Sequence, residues 1–244
     1  MRSWWVRRIL SRGPPGSFEK PPRLRSSVRR QSRTCCKGSK EDPWEFREEL
    51  NMVLSGSLVQ KFAICLDSGH GGRDRGARSG GLDEADLTLD IARRVRRILA
   101  PKYQVVLTRD GDVQVSLSER VAISERAKAD LFVSIHINAA NNPKAGGYEV
   151  FVRRDPSAGS LLLAAGILVQ FAKRWPTKRN RGLKYANFVV LRQARPACLV
   201  ESFFLTNSAE RALLGSASGR EQLGEAIAWG CGNFAATVVA PEQP

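Results

Sequence analysis

Three apolar runs constrain this chain more than anything else in its sequence: Phe62-Ala63-Ile64-Cys65-Leu66-Asp67, Leu131-Phe132-Val133-Ser134-Ile135-His136-Ile137-Asn138, and Ala197 to Leu205. Runs this short and continuous read as strands buried on both faces, and segments of helical periodicity lie between them. That alternation predicts an α/β fold, a mainly parallel or mixed twisted sheet flanked by helices on both faces in a single domain.

The intervening segments sharpen the prediction. From Glu84 to Ala100, Leu87, Ile91, Val95 and Ile98 recur at helical spacing with arginines between them, which specifies an amphipathic helix. Tyr103 to Thr108 reads as a strand. Ser116-Leu117-Ser118-Glu119 has the form of a capping box and opens a helix through about Lys128. Tyr148 to Val152 alternates as a strand, Ser157 to Trp175 has the broad apolar face of a helix, and Phe188 to Leu191 reads as a further strand. Asn207 caps a short helix with Glu210 at its third position, and Arg220 to Val238 closes the chain as a helix.

Charge divides the 244 residues unevenly. Residues 1 to 40 hold 12 Lys and Arg against one acid, Glu19, whereas the remainder holds 27 basic and 23 acidic groups. Residues 1–41 are therefore expected to be a basic, disordered arm, followed over 42–60 by a linker with a short helix from Pro43 to Leu54, and the folded domain is expected over 61–240. Such an arm would be drawn to an anionic polymer or membrane surface, and charge alone does not choose between them. The stretch Arg7-Arg8-Ile9-Leu10 has the look of a twin-arginine export signal, but Ser-Arg-Gly-Pro-Pro follows in place of an apolar segment, so no competent signal peptide is expected. The longest strongly apolar stretch, Leu161 to Val169, is too short to span a bilayer. Cys65, Cys198 and Cys231 fall in expected buried elements, Cys35 and Cys36 in the arm, and no Cys-x-x-Cys pair occurs, which argues against a disulfide framework or a cysteine metal site.

The chemistry should lie where open α/β sheets place it, outside the carboxyl ends of the strands. The sequence has only two histidines, His70 and His136, and each follows or ends one of the apolar runs. A histidine is more often a hydrogen-bonded structural residue than a ligand, so scarcity and placement nominate these two without assigning them. Glu84 opens the helix after the loop Gly69-His70-Gly71-Gly72. A carboxylate there commonly serves the helix dipole. Glu201 is the sharper anomaly, since it interrupts Cys198-Leu199-Val200 and Phe203-Phe204-Leu205, and a buried carboxylate is costly unless paired, hydrogen-bonded or near a metal. Two imidazoles and a carboxylate form one of the usual catalytic zinc sets, and a further carboxylate beside such a set is placed to act as a general base.

Four segments carry a family resemblance: Asp67-Ser68-Gly69-His70-Gly71-Gly72-Arg73-Asp74-Arg75-Gly76-Ala77, Leu82-Asp83-Glu84-Ala85-Asp86-Leu87, Ser134-Ile135-His136-Ile137-Asn138 and Leu199 to Asn207. Together, in order and at compatible spacing over about residues 61 to 235, they resemble the zinc-dependent N-acetylmuramoyl-L-alanine amidases of the Amidase_3 type. Ser116 to Arg120 and Ala186 to Arg192 fit the same pattern. The resemblance implies that His70, Glu84 and His136 bind one Zn2+ per chain, leaving a fourth position for water, and that Glu201 is the catalytic base. It implies hydrolysis of the amide between N-acetylmuramic acid and L-alanine in cell-wall peptidoglycan, a substrate that puts the expected site of action in the periplasm or outside the cell; a monomer is expected. The chain departs from the pattern at Ser68, Ile137 and Phe203, where a proline, an alanine and a glycine are usual. Of these, Phe203 is expected to matter, because a large ring where a backbone approaches closely would narrow the cleft or alter substrate choice. The short stretch between His136 and Asn187 lacks an extra helix of the kind that blocks some regulated relatives, so an uncovered cleft is expected. Two other readings fit fewer features: a catalytically weak wall-binding module of the same fold, and a basic nucleic-acid-binding protein, which only the arm supports.

Overall fold

The computed structural model describes residues 61–239. The basic arm, the 42–60 linker and the helix expected at Pro43 to Leu54 lie outside the described residues. Eight strands and five α-helices follow in order: β1 (Ala63–Ser68), β2 (Arg78–Ser79), β3 (Leu82–Asp83), α1 (Glu84–Leu99), β4 (Gln104–Leu107), α2 (Leu117–Arg126), β5 (Leu131–Asn138), β6 (Tyr148–Val152), α3 (Ala158–Arg174), β7 (Asn180–Tyr185), β8 (Ala197–Phe204), α4 (Ser208–Gly215) and α5 (Ala217–Val239). Six strands form one sheet in the order β4-β1-β5-β8-β6-β7, and β2 pairs with β3 in a small hairpin. All neighbours in the large sheet run parallel except β6 and β8. The fold is the mixed α/β sheet that the apolar runs predict.

Side chains alternate between the two faces of this sheet. Ile64, Leu66, Leu131, Val133, Ile135 and Val200 pack on one face with Ile91 and Val95 of α1, Ile167 and Phe171 of α3, and Ile227 and Phe234 of α5. Cys65, Phe132 and Leu199 pack on the other with Ala129, Val190 and Leu191. Burying each Ile, Leu or Val completely stabilises the fold by roughly 1.5–3 kcal/mol, which explains why the central strands tolerate so few polar residues. Among the described residues no helix is long and apolar enough to cross a membrane.

Local signals explain the helix starts. The Ser116 hydroxyl accepts from the Glu119 N–H at 3.2 Å, while the Glu119 carboxylate pairs with Arg126 instead of completing the capping box. Asn207 accepts from the N–H groups of both Ala209 and Glu210. One expectation fails, and one strand has no counterpart in the sequence reading. Val189–Leu191 is a turn of 3-10 helix rather than part of a strand at Phe188 to Leu191. Its apolar residues are there to cover the sheet, with Val190 and Leu191 buried and Phe188 edge-on to Phe151, and a four-residue run carries no periodicity to distinguish the two states. The missed strand, β7, reads Asn-Arg-Gly-Leu-Lys-Tyr, with Gly182 at φ +77°, a polar composition that only an edge strand accommodates.

Candidate metal centre

Beneath the centre lies a polar cluster buried in the apolar sheet. The Asp67 carboxylate accepts from Thr108 at 2.6 Å, Ser134 at 2.7 Å and Arg120 at 2.6 Å. Burial opposes its ionisation, but the Arg120 charge and these hydrogen bonds prevail and hold the carboxyl below the usual aspartate range. Arg120 also donates to the carbonyls of Ser68 and His70, both at 2.6 Å. Arg109 donates to those of Ser68 and Gly69, and Thr88 to that of Gly69. Three successive carbonyls, from the last residue of β1 into the loop that follows, are thus pinned by two guanidinium groups. That anchoring holds His70 at φ +61°, a left-handed conformation that costs a residue with a side chain about 1–2 kcal/mol.

The pinned loop points His70 at the start of α1. Glu84 lies there because its N–H bonds to the Ala77 carbonyl, and its carboxylate reaches the backbone of Ala77 and of Ile137 in β5. One oxygen, Oε2, accepts from the Ala77 N–H at 2.8 Å and lies 3.1 Å from His70 Nε2. The other, Oε1, accepts from the Ile137 N–H at 3.0 Å and lies 3.0 Å from His136 Nδ1. The carboxylate therefore bridges the two imidazoles, whose ring centroids are 5.0 Å apart and inclined by 78°. Burial pushes the Glu84 carboxyl upward, and the imidazoles outweigh it and pull it below the usual glutamate range. Burial likewise lowers His70, but Glu84 and then Asp74 hold it up at about 9.

Close approach here excludes side chains at two glycines. A Cβ on Gly69 would lie 2.4 Å from the His136 ring, and one on Gly76, at φ +65°, 2.5 Å from Glu84 Oε2. Asp74 Oδ2 lies 2.9 Å from His70 Nδ1, which fixes the ring and leaves Nε2 free to face Glu84 and the interior of the site.

Glu201 flanks this trio. It is the register partner of His136 across β5 and β8, and of Glu149 across β8 and β6. Its Oε2 is sealed from solvent without a hydrogen bond. Burial first, then the Glu84 and Glu149 carboxylates, push its carboxyl well above the ordinary range. An orphaned, protonation-prone oxygen beside a cluster of nitrogen and oxygen donors is one whose ionised form a bound cation would stabilise.

The four residues singled out in the sequence converge. His70, Glu84 and His136 offer one ligand atom each, all within 4.8 Å of one another, and Glu201 is next to His136. Two imidazole nitrogens and one carboxylate oxygen suit zinc by donor type. Phe203 is the correction. Its backbone is left-handed, φ +69°, and the β5 to β8 register slips between His136 and Asn138, so its ring turns away from Glu201 to the opposite face. There it packs on Tyr148, Phe171 and Trp175 and is fully buried. It does not narrow the site. Residues 139–147, between β5 and β6, contain no helix.

Sequence reading missed the supporting residues Asp67, Arg109, Arg120, Asp74 and Glu149. Asp67 carried the signal that marked Glu201, a charge at the end of an apolar run. The arginines gave none, because their partners are distant backbone carbonyls.

Comparison with known proteins places these features in context. The family profile described as N-acetylmuramoyl-L-alanine amidase, Amidase_3, matches residues 64–233. The chain is 40% identical over 159 residues to an endolysin of Bacillus phage SPP1, covering 62% of this chain and 58% of that protein. It is 35% identical over 217 residues to the amidase AmiA of Escherichia coli, covering 70% and 75%. Other relatives are longer: it spans 34% of LytC of Bacillus subtilis and 53% of AmiC of Neisseria meningitidis. Among solved structures it is similar to the amidase AmiC2 of Nostoc punctiforme, with 39% identity, a TM-score of 0.68 and coverage of 71% of this chain and 97% of that one. A Clostridium difficile amidase superposes with a TM-score of 0.70 at 32% identity, covering 75% and 100%.

Proposed function

This chain belongs to the Amidase_3 family of N-acetylmuramoyl-L-alanine amidases, and on that premise we propose that residues 61–240 form a zinc amidase domain that hydrolyses the bond between the lactyl group of N-acetylmuramic acid and the L-alanine of the peptidoglycan stem. The observation that carries the reading is the Glu84 carboxylate spanning His70 and His136, with the orphaned Glu201 oxygen at its side.

In this reading His70, Glu84 and His136 would hold one zinc ion, with His70 Nε2 and His136 Nδ1 both turned toward the Glu84 carboxylate. Bound there, zinc supplies Lewis acidity that polarises the scissile carbonyl and makes water a nucleophile near neutral pH. Asp74 orients the His70 ring, and Arg109 and Arg120 fix the loop beneath it. Glu201 takes the proton of the attacking water as the new C–O bond forms, and returns it to the alanine nitrogen as the C–N bond breaks. Its raised affinity for protons suits the second half of that cycle, and a neighbouring cation would restore the ionised form needed for the first. The substrate places the site of action in the cell envelope, periplasmic or extracellular.

Mass spectrometry of purified peptidoglycan digested with and without a chelator tests bond, metal and activity together. The expected products are stem peptides beginning with L-alanine and intact glycan strands, formed only without chelator. Cleavage within the glycan, or release that survives the chelator, would overturn the proposal.

A further inference from the structure

One stretch of the domain is basic without any compensating acid, and it includes an edge strand of the sheet. From Lys173 to Val200 the sequence has eight Lys and Arg residues and no acid. The strand that lies wholly within this stretch, β7, is the last of the sheet, paired only with β6. A register shift sets which way its side chains face: Tyr148 partners Asn180, but Val150 partners Leu183 and Phe151 partners Lys184. Lys184 consequently shares a face with Phe151 and, two residues away on β6, with Glu149, whose own partner is Glu201. Arg181 joins the same face. Its Nε donates to Glu149 Oε2 at 2.9 Å, and its guanidinium lies 5.0 Å over the Phe204 ring. Lys178 and Arg179 lead into β7 at the end of the sheet where Glu201 sits, and the Arg179 carbonyl accepts from the Tyr148 N–H.

The fold makes little use of this charge. Arg179 and Lys184 are exposed and Lys178 is half-buried, and none of the three forms an ion pair among the described residues. We propose that Lys178, Arg179, Arg181 and Lys184 form a subsite for the carboxylates of the stem peptide, running from beside Glu201 outward along the edge strand. The inference rests on the amidase reading above. Continuity with the site selects the occupant: Arg181, Glu149 and Glu201 are linked in sequence of contact, and the peptide is the anionic half of the scissile substrate. Arginine and lysine on an open edge bind carboxylates through charge-assisted hydrogen bonds and steer anions toward the site.

The test uses two soluble muropeptides that differ only in having stem carboxylates free or converted to carboxamides. Zinc-loaded wild type is compared with K178A/R179A/K184A, which leaves Arg181 on Glu149, and with a charge-matched control, K61Q/K102Q/K128Q. Wild type and control should prefer the free acid by about tenfold in kcat/KM, expressed in KM and fading with salt, and the triple variant should show almost no preference. Calorimetric affinities for the same two compounds provide a readout independent of turnover, so absence of cleavage counts against the amidase reading and equal affinities count against the subsite. A preference retained in the triple variant, or lost equally in the control, would overturn the inference. So would inhibition by poly(glycerol phosphate) that depends on these residues when wild type does not discriminate between the muropeptides.

Discussion

Asp67 Oδ1 lies 2.6 Å from Arg120 Nη1, both side chains are buried, and the same guanidinium holds the backbone of His70. Support and site therefore share one ion pair. Removing one partner leaves a buried charge uncompensated, which costs about 3–5 kcal/mol. Arg120→Met should lower the melting temperature by about 10 °C and weaken zinc binding, since the loop carrying His70 loses its anchor. Calorimetry and metal titration check this, and a variant that melts lower but binds zinc as wild type does would separate the pair from the site.

The pair also sets an acid limit. Asp67 is held below its unfolded value of about 3.9, so its contribution is fully present above that pH and is lost as pH falls through the lower folded value. Denaturant titrations between pH 6 and 2 should show stability falling with acid in the wild type and a shallower fall in Asp67→Asn, which has less stability to begin with. Parallel slopes in the two proteins would remove Asp67 as the source.

At the centre, the roles of the ligands and the base separate experimentally. His136→Ala removes a nitrogen donor and should abolish stoichiometric zinc. Glu201→Gln preserves shape and all three donors, so it should retain zinc while losing about 10²–10⁴-fold in turnover. Metal analysis and stem-peptide release measured on the same preparations distinguish the two. Unchanged release by Glu201→Gln would end its assignment as the base.

The parts of this architecture visible in sequence were those governed by local rules. Buried strands announce themselves by apolar continuity, α1 by its spacing, and α4 by the Asn207 cap. His70, Glu84, His136 and Glu201 stood out because each interrupts such a pattern or lies at its border. What stayed hidden depends on distant partners or on backbone state. Arg109 and Arg120 bond to carbonyls 40 and 52 residues away, β7 is held by a neighbour rather than by its own composition, and the left-handed turn at Phe203 reverses the face that strand alternation assigns.

Gly76 offers a test of crowding against backbone cost. Alanine there would bear the left-handed penalty of about 1–2 kcal/mol and also place Cβ 2.5 Å from Glu84 Oε2 and 2.6 Å from His70 Cδ2. Gly81 has a similar φ, +78°, with nothing within 4 Å of its Cβ. Gly81→Ala should lose only stability, whereas Gly76→Ala should lose at least about tenfold in zinc affinity as well, a displacement of ligands worth about 1.4 kcal/mol or more. Equal affinities in the two variants would show that the Glu84 and His70 positions yield without consequence.

Phe203 decides whether the departure from the family's glycine concerns the cleft or the core. Its ring centroid lies 5.0 Å from that of Trp175, 6.0 Å from Tyr148 and 6.2 Å from Phe171, all on the face away from Glu201. Phe203→Ala should therefore cost about 3–5 kcal/mol in stability through the cavity it leaves. KM for peptidoglycan fragments should stay within about twofold, measured well below the melting temperature. Because the backbone is left-handed at this position, Phe203→Gly should be no less stable than Phe203→Ala, the reverse of the usual penalty for glycine of about 0.5–1 kcal/mol. A several-fold fall in KM in either variant would put the ring back beside the substrate, and a glycine variant less stable than alanine would remove the left-handed backbone as the reason that the ring turns into the core.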